Sequence, residues 1–212
     1  MIKNVIFDLD GTLANSEELI IKSFQHIYKK FKGHEVSESH IKKTFGEILE
    51  KVIRAEFDED YQTVVSAYRE FHYENFDRYM KLYDGAKEII EELYLNNYTL
   101  GIVTSRLGLT ALKILEMYDI SKYFKSIITA DMCVNHKPHP EPLLKCLDEL
   151  EGSRPETIFV GDTVFDLECA KNAGIQSVLV SWSNLDANLL IDKPDFVINR
   201  YDDIKNIIAS IK

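Results

Sequence analysis

Long apolar runs, an excess of basic charge and paired cysteine motifs are all missing from this sequence of 212 residues. A membrane-spanning helix needs about 20 consecutive apolar residues, and no stretch approaches that length. The apolar stretch at residues 1–7 is also too short for a signal peptide. With 25 basic and 35 acidic residues, the formal net charge is −10, which argues against nonspecific binding to nucleic acid or to an anionic membrane. We therefore expect a cytoplasmic protein with neither nucleic acid nor membrane as a partner.

Cysteine is scarce as well. Cys133, Cys146 and Cys169 form an odd, scattered set without the C-x-x-C spacing of metal or redox motifs. This usage predicts reduced thiols and excludes a disulfide framework or a cysteine-based zinc site.

The composition that remains, 45% apolar and 28% charged, is typical of a globular domain with a buried core. Short apolar runs rich in β-branched residues predict strands at residues 4–9, 99–104, 126–129, 157–160, 177–180 and 196–198. Patterns of helical period separate them, at residues 86–96, 109–117, 141–150 and 167–172. Such alternation predicts an α/β fold with a doubly wound parallel sheet. Asp84 is an expected N-cap, and Gly174 is expected to end a helix.

Residues 15–81 interrupt this alternation. They show helical periodicity at 17–31, 39–44, 47–57 and 61–76 but no convincing strand. A connection between a strand and the next helix is normally short, so we interpret this segment as an inserted helical subdomain. The predicted organisation is an α/β core of residues 1–14 and 82–212 and a helical cap of residues 15–81.

Polar residues suited to one reaction lie at the ends of four predicted strands or just beyond them. They are Asp8 and Asp10, Thr104 and Ser105, Lys137, and Asp162 with Asp166. Taken singly, each has an ordinary explanation, such as a helix cap, a turn or a solvated lysine. Ligands of open parallel sheets bind beyond the carboxyl ends of the strands, so four such features in succession indicate a functional site.

The segments "DLDGT", "IVTS", the lysine of "HKPHP" and "GDTVFD" resemble, in order, the four motifs of the haloacid dehalogenase superfamily. The resemblance covers the whole core, and the helical insertion after the first motif resembles the first type of cap in that family. Within the superfamily, "YTLGIVTSR", "KPHPEPL" and "VGDTVFDLECAKNAG" resemble the branch of phosphoglycolate phosphatases and bacterial pyrophosphatases. A Rossmann-like core is the fold that this resemblance implies.

The resemblance also implies a role for each motif residue. Asp8 would be the nucleophile that forms an aspartyl-phosphate, and Asp10 the general acid and base. The metal ligands would be Asp8, the backbone carbonyl of Asp10, and Asp162, with Asp166 binding directly or through water. Lys137 would neutralise phosphoryl charge, and Thr104 with the Ser105 backbone would hold phosphoryl oxygens.

Charge explains why a metal is expected. Two like charges 4 Å apart repel by about 4 kcal/mol at an effective dielectric constant near 20, and a phosphoryl dianion adds to this repulsion. Carboxylate, carbonyl and water oxygens suit Mg²⁺, which is therefore the predicted cofactor. Gly11 would give the turn that begins near Asp10 the freedom to bring both acids around.

The substrate is left open by the sequence. The prediction is hydrolysis of a small phosphate monoester, such as phosphoglycolate, or of pyrophosphate. Gly46 and Glu47 lie where the resembled branch has a substrate-facing loop, and Arg54 is a candidate anion contact. An acid at position 47 would disfavour a strongly anionic tail. Either a monomer or a homodimer fits the sequence.

Three alternatives stay open. A sugar-phosphate mutase of the β-phosphoglucomutase type uses the same core, but such relatives resemble D-x-D-G-V, and Thr12 follows Gly11 here. A carbon–phosphorus hydrolase would need a buried cap lysine, for which Lys22 is the candidate. A non-catalytic phosphate-binding module would be expected to lack one of the acids or the lysine.

Overall fold

The computed structural model describes residues 1–182, 190 and 193–211. Two compact units make up the chain, and each is described by itself. The core unit comprises Met1–Ala14 and Leu82–Lys212, and the inserted unit comprises Asn15–Lys81.

The strands of the described residues are all short. In chain order they are β1 (Asn4–Phe7), β2 (Ala14–Asn15), β3 (Lys81–Leu82), β4 (Thr99–Val103), β5 (Phe124–Ile128), β6 (Thr157–Gly161), β7 (Gln176–Val180) and β8 (Phe196–Ile198). The short strands β2 and β3, where the chain leaves and re-enters the core unit, pair with each other.

The other strands of the described residues form one parallel sheet in the order β5-β4-β1-β6-β7-β8. Strand β1 is central because Asn4 pairs with Thr99 of β4 on one side and with Thr157 of β6 on the other. Its residues are all buried, as expected for a parallel strand that is covered on both faces. The reversal of strand order at β1 confirms the predicted doubly wound α/β architecture.

The helices occupy most of the predicted positions. They are α1 (Glu17–Ile27), α2 (Glu38–Lys42), α3 (Leu49–Glu56), α4 (Tyr61–Tyr79), α5 (Ala86–Leu95), α6 (Gly108–Met117), α7 (Glu141–Glu149), α8 (Val164–Ala173) and α9 (Asp203–Ser210). Helix α1 continues as a π-helical turn over Tyr28–Lys32, and single 3₁₀ turns occur at Ser121–Tyr123, Ala130–Met132 and Arg154–Glu156.

Each unit has its own apolar core. In the core unit, Ile6, Val103 and Phe159 of the sheet pack with apolar residues of α7 and α8. The inserted unit buries a separate cluster from α1, α3 and α4, including Ile53 and Val64. Burial of these side chains supplies the main favourable term for folding each unit.

Three local expectations met different outcomes. Asp84 is not the N-cap of α5: Gly85 occupies that position with φ 87°, a left-handed conformation that favours glycine over aspartate. Gly174 does end α8, with φ 69°. Helix α8 begins earlier than predicted, at Val164, because Thr163 caps it.

None of the helices in the described part of the chain combines the length and the apolar character needed to cross a bilayer.

Candidate active site

Three polar residues follow three neighbouring strands of the sheet. Asp8 comes directly after β1, Thr104 after β4 and Asp162 after β6. Backbone hydrogen bonds continue the sheet to these positions: the Asp8 N–H donates to the Val160 carbonyl at 2.8 Å, and the Thr104 N–H donates to the Ile128 carbonyl at 3.0 Å. The parallel register therefore brings their side chains to one edge of the sheet.

Three carboxylates converge at this edge. Asp8, Asp162 and Asp166 each offer an oxygen, and the three oxygens lie within 4.8 Å of one another. The residues are 4%, 8% and 1% exposed, so water screens their mutual repulsion weakly. Such a cluster is stable only with nearby positive charge.

Lys137 supplies part of that charge. Its ammonium lies 2.6 Å from Oδ1 of Asp8 and 2.6 Å from Oδ1 of Asp166, and its side chain is 3% exposed. Burial opposes the charged ammonium, but Asp166 and Asp8 outweigh that effect and raise the pKa of Lys137. The lysine therefore stays charged and bridges two of the three acids.

The remaining negative charge fits a divalent cation. Burial, with further repulsion from Asp166 and Asp10, raises the pKa of Asp8 to about 7 although Lys137 lowers it. Burial and the charges of Asp166 and Asp8 likewise hold the pKa of Asp162 well above its usual range. Three buried carboxylates around one ammonium are an oxygen-rich, anionic donor set, and such a set suits a hard divalent ion.

Asp166 is also part of the first turn of α8. Its Oδ2 accepts hydrogen bonds from the Thr163 N–H at 2.9 Å, the Thr163 hydroxyl at 2.6 Å and the Asp162 N–H at 3.2 Å. The Thr163 hydroxyl accepts in turn from the Asp166 N–H, which completes a capping box. Gly161 makes room for this arrangement, because a Cβ there would lie 2.4 Å from Cβ of Asp166.

A tight turn after β1 redirects the chain. Gly11 adopts φ 81°, as the sequence predicted from its place after Asp10, and a Cβ there would lie 2.1 Å from Oδ2 of Asp162. The Thr12 hydroxyl donates to Oδ1 of Asp162 at 3.3 Å. Glycine at position 11 is thus required both by the turn and by the close approach of the acid.

With this geometry in view, the comparisons with known proteins are decisive. The model of the haloacid dehalogenase-like hydrolase family matches residues 5–180. The chain belongs to this family. A pyrophosphatase PpaX of Bacillus mycoides is 33% identical over 211 residues, which are 99% of this chain and 98% of that protein.

Solved structures agree with the family assignment. A predicted phosphoglycolate phosphatase of Haemophilus somnus superposes with a TM-score of 0.87 at 26% identity, covering 97% of each chain. A haloacid dehalogenase-like family hydrolase of Streptococcus pneumoniae superposes with a TM-score of 0.85 at 25% identity, and the match covers 97% of this chain and 98% of that one. These matches confirm the predicted membership in the phosphatase branch of the superfamily. They also confirm the prediction that the protein is an enzyme.

In this hydrolase, the side chain of Asp10 has a partner that the sequence reasoning missed. Arg106 donates from Nε to Oδ2 of Asp10 at 2.8 Å and from Nη2 to Oδ1 at 2.6 Å. The pair is a bidentate fork, the geometry in which a guanidinium matches a carboxylate. The signal was present in "IVTSR", two residues beyond Thr104, but an arginine in a loop has no distinctive spacing.

Two of the predicted phosphate-binding residues, Thr104 and Ser105, lie beside that pair. Thr104 is 4% exposed, and its hydroxyl accepts a hydrogen bond from the Arg106 N–H at 3.1 Å. Ser105 lies between them and is partly exposed. The structure places both residues at the strand edge that carries Asp8, and their role toward phosphate stays a prediction.

The three candidate specificity residues belong to the inserted unit. Gly46 adopts φ 85°. Glu47 pairs with Lys51 at 2.9 Å, and Arg54 pairs with Glu50 at 2.9 Å while its guanidinium lies 4.4 Å from the centre of the Tyr61 ring. Within their unit, Glu47 and Arg54 are thus engaged with neighbouring side chains, and their contribution to substrate choice stays a prediction.

Proposed function

We propose that this hydrolase is a Mg²⁺-dependent phosphatase that acts on a small phosphate monoester, of which phosphoglycolate is an example, or on pyrophosphate. One observation carries the proposal: the buried Asp8 carboxylate shares an ammonium with Asp166 and clusters with Asp162 at the carboxyl edge of the sheet. The relatives named as pyrophosphatase and as predicted phosphoglycolate phosphatase support the two substrate classes.

In the first chemical step, an oxygen of Asp8 attacks phosphorus and the bond from phosphorus to the leaving oxygen breaks. The leaving oxygen takes a proton from Asp10. In the second step, Asp10 takes a proton from water, whose oxygen attacks phosphorus, so that phosphate departs and the Asp8 carboxylate is restored. Lys137, at 2.6 Å, holds the Asp8 oxygen in place and offsets charge on the phosphoryl group.

Asp8, Asp162 and the backbone carbonyl of Asp10 would hold the metal. When bound, Mg²⁺ neutralises part of the charge that the phosphoryl group and the carboxylates bring together. Asp166 would bind the metal directly or through water, while its Oδ1 also accepts from Lys137 and its Oδ2 from Thr163. Fixed donors around charge that develops in the transition state are a large source of rate enhancement.

Thr104 and the Ser105 N–H are assigned to the phosphoryl oxygens. Gly46, Glu47 and Arg54 of the inserted unit are the residues to which we assign substrate choice. We place the reaction in the cytoplasm, because all three cysteines are free thiols, as expected in a reducing compartment.

A substrate panel tests the proposal. Purified protein with Mg²⁺ should release phosphate from phosphoglycolate, pyrophosphate or another small phosphoester, and chelation of Mg²⁺ should stop the release. Asp8→Asn should abolish it, whereas Asp148→Asn, on an exposed position of α7, should leave it unchanged. Equal inactivity of the wild type and Asp8→Asn on the whole panel would overturn the proposal. Isomerisation of a hexose phosphate without phosphate release would instead identify a mutase.

A further inference from the structure

Lys137 is carried by a loop that has little regular structure of its own. This loop, residues 133–140, joins the 3₁₀ turn after β5 to the start of α7, and we call it the lysine loop. Among the described residues, one backbone hydrogen bond lies within it, from the His139 N–H to the His136 carbonyl at 2.8 Å. The position of the Lys137 ammonium therefore depends on contacts between the loop and side chains outside it.

Glu141 makes several of these contacts. It is the first residue of α7, and its Oε1 accepts from the Val134 N–H at 2.8 Å. Its Oε2 accepts from the Asn135 N–H at 3.0 Å and from the Asn135 side-chain amide at 2.8 Å. Both carboxylate oxygens are thus engaged, and they join the end of the lysine loop to its beginning. Bonds to an ionised acceptor are stronger than bonds to a neutral one.

The place of Glu141 in its helix does not explain these contacts. Acidic residues are common in the first turn of a helix because they interact favourably with the helix dipole. This carboxylate, however, bonds to N–H groups six and seven residues upstream, in the lysine loop. Those donors lower the pKa of Glu141, with the Val134 N–H contributing most, so the side chain is charged at neutral pH.

Helix α8 holds the middle of the lysine loop. The Lys137 ammonium contacts Asp166, near the start of α8, at 2.6 Å. Asn172, near the end of the same helix, donates from its side-chain amide to the Pro138 carbonyl at 2.9 Å. The lysine and the residue after it are thus attached to α8, whereas Glu141 attaches two residues near the beginning of the loop.

We propose that Glu141 is a positioning residue, whose carboxylate fixes the lysine loop so that the Lys137 ammonium reaches both Asp8 and Asp166. The inference rests on the proposed function, in which Lys137 holds the nucleophile and offsets phosphoryl charge. Glu141 acts through Lys137 and is not itself a catalytic residue. A displacement of about 1 Å in a reacting group can lower a rate by about 100-fold, so a partly exposed anchor can control the chemical step.

Steady-state kinetics on the best substrate of the panel tests the effect on the reaction. Glu141→Gln keeps the shape of the side chain but replaces one oxygen by an amide NH₂, which cannot accept a hydrogen bond. It should lower kcat by about 10- to 100-fold and change KM much less, because Lys137 offsets charge that develops in the transition state. Asn135→Ala removes one of the three bonds and should lower kcat less. Glu149→Gln is the matched control: this residue of α7 accepts from the Ser126 hydroxyl, so both constants should stay unchanged.

A double-mutant cycle on the free energy of unfolding tests the coupling without any need for activity. Glu141→Gln, Lys137→Met and the double variant are unfolded with urea in metal-free buffer. If Glu141 acts through Lys137, the double variant should lose less stability than the sum of the two single losses. A purely structural anchor would give additive losses. If the double variant does not fold, Asn135→Ala replaces Glu141→Gln in the same cycle.

The two measurements separate this inference from the proposed function. Coupling in the cycle, together with no phosphate release by the wild type, would refute the phosphatase and leave the positioning of Lys137 standing. Phosphate release by the wild type, with kcat unchanged in Glu141→Gln, would refute the inference and leave the phosphatase standing. Additive losses in the cycle, or an equal loss of kcat in Glu149→Gln, would also overturn the inference.

Discussion

At the scale of single residues, Lys137 has the least replaceable position in the candidate site. Its ammonium is the cation that contacts Asp8 and Asp166, and the three side chains are 6% exposed or less. Removal of one partner from a buried ion pair leaves an uncompensated charge, which costs far more than the pair itself contributes.

Lys137→Met should therefore lower the free energy of unfolding by about 3 kcal/mol in metal-free buffer at neutral pH. Chemical denaturation followed by circular dichroism measures this. Lys145→Met is the control, because the Lys145 ammonium donates to the Met132 carbonyl at 2.9 Å in an exposed hydrogen bond. A loss for Lys137→Met no larger than that of the control would contradict the buried geometry.

Glu56 in the inserted unit provides a test of pH dependence. The Tyr28 hydroxyl donates to its Oε2 at 2.5 Å, and this bond, with further help from His40, lowers the pKa of Glu56. A carboxyl group whose pKa is lower in the folded state stabilises the fold above its unfolded pKa, about 4.3. That stabilisation is lost as the pH falls through the lower, folded value.

Glu56→Gln should accordingly destabilise the protein at pH 7 by at most about 1 kcal/mol, and the difference from the wild type should shrink below about pH 4. Urea denaturation at a series of pH values measures the difference. Glu50→Gln is the control: Glu50 lies on an exposed helix face beside Arg54, so this substitution should change the free energy of unfolding only slightly at any pH in the series. A difference that stays constant across the acid range would refute the assignment of the effect to the charge of Glu56.

At the scale of elements, the turn over residues 11–13 links the sheet edge to the C-terminal part of the chain. Tyr201, which is 5% exposed, donates its hydroxyl hydrogen to the Thr12 carbonyl at 2.5 Å. The Thr12 hydroxyl contacts Asp162, so the tyrosine supports a predicted metal ligand through one intermediate residue.

Tyr201→Phe should lower the free energy of unfolding by about 1–3 kcal/mol, because a buried carbonyl loses its hydrogen bond. It should also weaken Mg²⁺ binding, measured by calorimetry on the folded protein. Tyr94→Phe is the control, since Tyr94 is 48% exposed. Unchanged stability and unchanged metal affinity together would show that the hydroxyl has no supporting role.

The sequence predicted some elements better than others. The strands of the parallel sheet were predicted because strands covered on both faces are continuous apolar runs, and Asp8, Thr104 and Asp162 were placed by that logic alone. The two-residue strands β2 and β3 were not predicted, because so short a segment carries no periodic pattern. Helix α9 was not predicted, because Asp203–Ser210 is short and lies beyond the last predicted strand. Arg106 and Tyr201 were missed for another reason: their partners are distant in sequence, so no local pattern reports the contact.

At the scale of the whole molecule, the chain consists of two compact units with separate apolar cores. Each core is formed by the side chains of its own unit. A substitution that destabilises one core should therefore speed amide hydrogen exchange first in that unit. Local openings in proteins occur in such contiguous cooperative groups.

Ile53→Ala, at a side chain that is 1% exposed in the inserted unit, should cost about 3 kcal/mol and speed amide hydrogen exchange within residues 15–81. Exchange in the strands of the core unit should change much less. Ile6→Ala, at a fully buried position of β1, is the matched variant and should give the opposite pattern. Uniform acceleration across both units by both variants would show that they open as one.

The central claim is that Asp8 becomes phosphorylated during turnover, and chemical trapping of that species tests it most directly. Borohydride reduces an acyl phosphate to an alcohol, so quenching the working enzyme with borohydride should convert Asp8 into homoserine, detected by mass spectrometry of the peptide that contains it. We predict this conversion with Mg²⁺ and a hydrolysed substrate, and none when substrate is left out. Phosphate release without any conversion at Asp8, persisting in Asp8→Asn, would contradict the account.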